Sequence, residues 1–185
     1  MVDVFYLHDN YVWCRTELAN LDEKAEDVVR AEFNANENSR LIAVSIAIFV
    51  VIFVYKDFIP SFLFEWIIGQ LVIAFPLLYK SSDAYEKTAY REGSKWKWFG
   101  KILSRSAAAL EFNAIALLVY TISFEFALFF FGLTWAMEGI YGVLDIIEKR
   151  QNLKKRLFKS ALFVSLQLIF GFGILIYYHF FYVYL

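Results

Sequence analysis

The stretch Ser106–Ile147 reads SAAALEFNAIALLVYTISFEFALFFFGLTWAMEGIYGVLDII and contains no Lys or Arg. At about 1.5 Å per residue, a helix of this length is about twice as long as the ~30 Å hydrocarbon layer of a membrane is thick. The stretch therefore predicts two membrane spans, at residues 106–123 and 126–147. We place the tight turn between them at Ser123–Glu125.

The rest of the chain carries three more apolar runs, and its composition is 60% hydrophobic and 21% aromatic. Soluble domains are usually only about 45–50% apolar. The runs predict spans at 41–58, 61–79 and 160–182, and Lys56 lengthens the first by reaching the headgroups. We therefore predict an all-α, polytopic membrane protein with about five transmembrane helices. A four-span alternative would put a basic connector on the wrong side or leave an apolar run unexplained.

Charge orients these spans. In a five-span arrangement the N-terminal region and the connectors 80–105 and 148–159 share one side, and they carry 17 of the 18 Lys and Arg residues. Because basic residues favour the cytosolic side, we predict a cytosolic N-terminus and a C-terminus on the opposite side. Residues 1–38 would form an acidic cytosolic region, and residues 39–185 the transmembrane domain with its helical connectors.

Short matches recur at an offset of 65 residues. Ser39-Arg40 recurs as Ser104-Arg105, and Val54-Tyr55 as Val119-Tyr120. One interpretation is that the first four spans are two tandem hairpins, each starting on the cytosolic side. The other is chance, because so apolar a composition makes such matches common.

Seven polar residues inside the predicted spans are the candidate pore or intramembrane sites. A charge near the middle of a bilayer costs at least about 2.5–3.5 kcal/mol. Glu138 is the deepest acid, about 16 Å along a helix from the cytosolic charges. Because the sequence places no Lys or Arg beside these acids, one hypothesis is a cation or proton route. The alternative is a protonated Glu138, hydrogen-bonded between helices, with the other acids hydrated near an interface. The candidates are Glu138, Asp145, Glu111, Asn113, Glu65, Gln70 and Gln167.

Glycines suggest where the spans pack closely. Gly132, Gly139 and Gly142 lie on the fourth predicted span, and Gly171 lies one turn after Gln167 on the fifth. Since glycine has no side chain, we expect a neighbouring helix to approach at both places.

Two segments outside the spans are amphipathic. After Gly93, KWKWFGKILSR predicts a helix lying in the headgroups of an anionic leaflet, an interpretation favoured over nucleic-acid binding. Its membrane-surface residues are Trp96, Trp98, Phe99, Lys97, Lys101 and Arg105. The sequence also predicts a helix from about Asn20, whose acidic face anionic lipid would repel, so its apolar stripe packs on this domain or docks a cytosolic protein. The docking candidates are Leu21, Ala25, Val28 and Asp27.

The sequence contains none of the common catalytic or nucleotide-binding motifs. His8 and His179 would lie on opposite sides of the membrane, and Cys14 is the single cysteine. We therefore expect no enzymatic activity, no metal, no cofactor and no nucleic-acid partner. The leading hypothesis is a homo-oligomeric channel or pore-type protein passing cations or protons along a path between subunits. The alternative is a non-catalytic anchoring or sensor subunit of a larger complex, with a cytosolic protein partner.

Overall fold

A computed structural model describes residues 28–29, 32–90, 94–149 and 153–182, without the side chains of 89–90, 94, 145–146, 148–149 and 153–156. The described chain is helical throughout apart from short turns. Five of its helices are long and apolar enough to cross a membrane, which confirms that the described chain is all-α and has the predicted number of long apolar helices. The helices are α1 Glu32–Val54, α2 Ser61–Tyr90, α3 Ser94–Tyr120, α4 Phe124–Lys149 and α5 Leu153–Gln167.

The fifth candidate span continues beyond α5 and changes its helical pitch three times. A π-helical segment, Leu168–Phe172, is followed by the short helix α6, Gly173–Tyr177, and by a second π-helical segment, Tyr178–Tyr182. A π segment widens a helix locally and leaves main-chain carbonyls available to other donors. The middle of this span can therefore accept hydrogen bonds from neighbouring helices.

Two tight turns, one between α1 and α2 and one between α3 and α4, lie at the end of the bundle that is predicted to face outside. The 3₁₀ turn Lys56–Phe58 joins α1 to α2. The turn between α3 and α4 lies at residues 121–123, so the prediction of Ser123–Glu125 was too late along the chain. The backbone N–H of Phe126 donates to Ser123 Oγ at 3.3 Å, which makes Ser123 the N-cap of α4.

The helix ends on the other side differ from the prediction. The predicted domain boundary after residue 38 falls inside α1. Helix α2 extends to Tyr90 and helix α3 begins at Ser94. Most residues of the predicted connector 80–105 therefore belong to the ends of these two helices. The basic segment is therefore the first part of α3 and not a separate surface helix. Buried polar contacts between the helices, described below, explain why these polar stretches stay helical.

Helix α3 is central in the bundle and α4 is peripheral. In their most apolar stretches 44% of the α3 residues are buried, against 11% of the α4 residues. The largest apolar cluster fills the half of the bundle nearest the two tight turns, while the outward faces of the helices are also apolar and suit contact with lipid. This cluster includes Ile52, Leu63, Ile67, Leu71, Leu117, Phe131 and Leu175.

Candidate functional site

The deepest predicted carboxylate, Glu138 on α4, is paired with a cation. Arg105 on α3 donates from Nη1 to Glu138 Oε2 at 3.0 Å, and Ser160 donates from Oγ to Oε1 at 2.9 Å. The Glu138 side chain is only 9% exposed, and the guanidinium also lies over the ring of Phe163. The expectation that no basic residue reaches the intramembrane acids is therefore wrong for Glu138. Arg105, assigned to the membrane surface, extends along α3 to neutralise it.

This ion pair forms part of the wall of a cavity of about 1150 Å³ between α1, α3, α4 and α5. Basic residues lie toward the start of α3, and aromatic and aliphatic residues line the deeper part. The cavity is therefore amphipathic along its length. Its basic residues are Lys97, Lys101, Arg105 and Lys159, and its apolar residues include Phe112, Phe130, Leu133, Met137 and Phe163.

A second polar group joins three helices near the same end of the bundle. Asn38 on α1 is 1% exposed, donates to Ser81 Oγ on α2 at 2.9 Å and accepts from Ser104 Oγ on α3 at 2.9 Å. Ser81 in turn donates to the carbonyl of Gly100 at 2.8 Å. These bonds satisfy polar groups that would be costly in an apolar interior.

Glu111 on α3 is buried against α1. Its carboxyl group accepts a hydrogen bond from the hydroxyl of Ser45, and both residues are at most 3% exposed. Glu111 lies six residues after Arg105, about 9 Å further along the helix. It faces the inside of this chain and is not available to line a path between subunits.

Three buried amides surround the first π-helical segment. Gln70 donates to the carbonyl of Phe170 at 3.0 Å, and Asn113 to the carbonyl of Leu166 at 3.2 Å. Gln167 accepts from Trp135 Nε1 at 2.8 Å. Among the residues that the structure describes, one polar atom of each amide has no hydrogen-bond partner: Gln70 Oε1, Asn113 Oδ1 and Gln167 Nε2. These hydrogen bonds join α2, α3, α4 and the fifth candidate span near the middle of the bundle. The three atoms without a described partner are two acceptors and one donor.

The glycines of the two predicted close approaches behave differently. A Cβ on Gly171 would collide with Asn113 Oδ1 and lie 2.7 Å from Phe131 Cζ, which confirms close packing there. A Cβ on Gly132, Gly139 or Gly142 would meet no other atom within 4 Å among the described residues. The expected approach to α4 is therefore not present within the described chain.

The remaining candidates are dispersed. Glu65 is exposed on α2, Val28 is partly buried, and Trp96 and Phe99 are exposed near the start of α3. Trp98 packs against Phe158. The candidates Asp145, Leu21, Ala25 and Asp27 lie outside the described side chains.

Sequence reasoning missed the residues that partner the predicted ones. Ser45, Asn38 and Ser160 are small polar residues whose roles depend on which helices touch. At the far end, Tyr120 Oη lies 3.1 Å from His179 Nδ1. The seven-residue spacing of Ser104 and Glu111 on α3 could have indicated a polar face, but not its partners.

Comparison with protein families, curated proteins and solved structures found no match for this chain. Across the part of the chain that the structure describes, no three His, Cys, Asp or Glu side chains are grouped to hold a metal ion. Fold and geometry are compatible with a small multi-span helical membrane protein whose polar side chains bind one another inside the bundle.

Proposed function

We propose that the chain is a non-catalytic membrane subunit that anchors or senses for a larger complex with a cytosolic protein partner. The observation that supports this most is the Arg105–Glu138–Ser160 group. A route for cations needs acids whose charge is available to the ion. Here the deepest acid is held by a guanidinium and a hydroxyl, which suits a role in stabilising the bundle.

The packing of the bundle also favours this proposal. Beyond Asn113 the interior contains fully buried apolar side chains, among them Leu117, Phe131 and Leu175. Four of the predicted pore residues are at most 3% exposed and face inward, so a path between subunits would not contain them. These residues are Gln70, Glu111, Asn113 and Gln167.

The test compares the full chain with a variant lacking residues 2–36, each purified with a C-terminal tag from its native membranes. We expect a cytosolic protein to co-purify in fixed stoichiometry with the full chain and to be lost with the truncated one. A circular-dichroism spectrum and a monodisperse elution profile control for folding of the truncated chain. Equal recovery with both chains, or no stoichiometric partner, would refute docking through the N-terminal region.

The second proposal is a route for protons or cations through the bundle of each chain and not between subunits, and it is favoured by the three buried amide atoms that have no partner among the described residues. Buried polar groups without protein partners often bind water, and water at mid-depth is what a conduction path needs. The pore proposal requires that liposomes containing the protein collapse an imposed pH or K⁺ gradient faster than empty ones. Asn113→Leu should then slow the flux, whereas Glu37→Gln, at an exposed pair with Arg40, should not. Parent liposomes as tight as empty ones would exclude the pore.

A further inference from the structure

Glu111 is a buried acid whose surroundings differ from those of Glu138. Glu111 is 3% exposed, and the Glu138 side chain is 9% exposed. Glu138 has the guanidinium of Arg105 as its counter-charge, whereas Glu111 accepts a hydrogen bond from the hydroxyl of Ser45. In an apolar interior a neutral hydroxyl compensates a negative charge less well than a cation does. We therefore expect the two acids to differ in protonation state.

The cations on the helices next to Glu111 contact other groups. Arg105 lies six residues earlier on α3, about 9 Å along the helix, and Arg40 lies five residues before Ser45 on α1. These two arginines and Lys80 on α2 bind other carboxylates, at 3.0, 2.9 and 3.0 Å: Arg105 binds Glu138, Arg40 binds Glu37, and Lys80 binds Asp83. The lysines Lys97, Lys101 and Lys159 line the amphipathic cavity, to which Glu111 does not contribute. In the part of the chain that the structure describes, no cation is paired with the Glu111 carboxyl.

Apolar side chains lie around the contact between Ser45 and Glu111. A buried cluster next to it joins α2 and α3, and Leu41 and Ile42 of α1 pack against this cluster. Its buried members are Ala74, Leu78, Ala107 and Leu110. Ser45 also lines an apolar groove of about 580 Å³ between α1 and α2, with walls that include Phe49, Phe53 and Phe75. The described surroundings of the contact are therefore poor in groups that could solvate a charge.

An ionised carboxylate is costly in such surroundings. Taking a carboxylate out of water without a counter-charge costs far more than taking out a neutral carboxyl, so a group buried in this way takes up a proton. A protonated carboxyl accepts a hydrogen bond at one oxygen and carries the proton on the other. Glu111 Oε1 accepts from Ser45 Oγ, which leaves Oε2 to carry the proton.

We propose that Glu111 is a proton-binding site, whose carboxyl holds its proton at neutral pH while Glu138 is ionised in its pair with Arg105. The sequence alone suggests Glu138 as the protonated acid because it is the deepest one. The contacts between the helices assign the proton to Glu111 instead. This site depends only on the packing of α1 against α3, so it does not depend on whether the protein anchors a partner or conducts ions.

Infrared spectroscopy of the purified full chain tests the proposal, because a protonated carboxyl has a C=O stretching band that an ionised carboxylate lacks. Cell-free synthesis with glutamate labelled with carbon-13 at the side-chain carboxyl separates glutamate bands from all others in a difference spectrum. At neutral pH we expect one protonated glutamate band in the parent chain and its loss in Glu111→Gln.

Two further variants assign the band. Glu138→Gln makes the same substitution at the acid that is paired with Arg105, and it should keep the band. Ser45→Ala should keep the band but move it to higher frequency, because the C=O group loses the hydrogen bond from the hydroxyl. This shift identifies Glu111 even if Glu111→Gln folds poorly, and an elution profile of each variant monitors folding.

Three results would overturn the proposal. A parent chain without a protonated glutamate band at neutral pH would mean that Glu111 is ionised. A band that is lost in Glu138→Gln and kept in Glu111→Gln would place the proton on the ion-paired acid. A band that Ser45→Ala leaves at its original frequency would belong to a carboxyl other than Glu111.

Discussion

Arg105 and Glu138 illustrate how one contact alters the interpretation of a residue. A lone carboxylate at this depth suggests ion passage, but a carboxylate bound by a guanidinium at 3.0 Å and a hydroxyl at 2.9 Å is compensated. Glu138 could be identified from sequence because it interrupts an apolar run. Its partner could not, because Arg105 belongs to a basic stretch whose continuity with α3 is not visible in hydropathy.

At this scale we predict an asymmetry between the two partners. Arg105→Gln should lower the free energy of unfolding by about 2–3 kcal/mol, because it leaves the Glu138 side chain, which is only 9% exposed, without its counter-charge. Breaking a fully buried ion pair costs about 3–5 kcal/mol, and this pair is partly exposed. Glu138→Gln should cost less, since Arg105 is 29% exposed and can be hydrated. The double variant should be more stable than Arg105→Gln. Reversible unfolding in mixed detergent–SDS micelles measures all three.

The control for this prediction is Glu37→Gln. It removes an exposed pair with Arg40 on one helix and should cost less than about 0.5 kcal/mol. If Arg105→Gln cost no more than this control, the ion pair would contribute nothing to stability.

At the scale of the element, the fifth span is shaped by its contacts with α3. The carbonyls of Leu166 and Phe170 bind side-chain amides, and Gly171 lies against Asn113 and Phe131. The number and approximate positions of the long apolar helices could be predicted, because apolar runs of this length are typical of membrane-spanning helices. The π segments and the helix ends could not, because hydropathy reports contact with lipid and not where a helix stops.

Gly171→Ala tests this packing. A methyl group there would lie under 3 Å from two side chains, so we expect a loss of about 1–3 kcal/mol in the free energy of unfolding. Gly139→Ala adds the same methyl group where no atom lies within 4 Å and should be neutral or slightly stabilising. Adding Asn113→Ala to Gly171→Ala should recover part of the loss. Equal stability of the two glycine variants would contradict the close contact.

At the scale of the whole molecule, the described chain has five helices long and apolar enough to cross a membrane, and the sequence predicts that they connect a basic side to a side that carries only Lys56. The number of long apolar helices agrees with the prediction from sequence, while the sidedness stays a prediction from charge. The distribution of Lys and Arg predicts this sidedness without knowledge of any contact, because it depends only on which residues lie between the predicted spans.

The sidedness can be measured by cysteine labelling in intact cells. In a Cys14→Ser background, Lys56→Cys should react with a membrane-impermeant maleimide from outside. Lys87→Cys should react only after the cells are opened. Both lysines are exposed in the structure, so the two probes are matched for access to reagent. Reaction of both residues from the same side would contradict the five-span arrangement.

The amides around the π-helical segment also have a consequence for the order of synthesis. Gln70 and Asn113 leave the ribosome well before Leu166 and Phe170, the residues whose carbonyls they bind. Glu138 likewise precedes Ser160. We expect the nascent chain to hold these groups unsatisfied until residues 160–170 are made, so that release of the first four helices from the insertion machinery waits for the fifth.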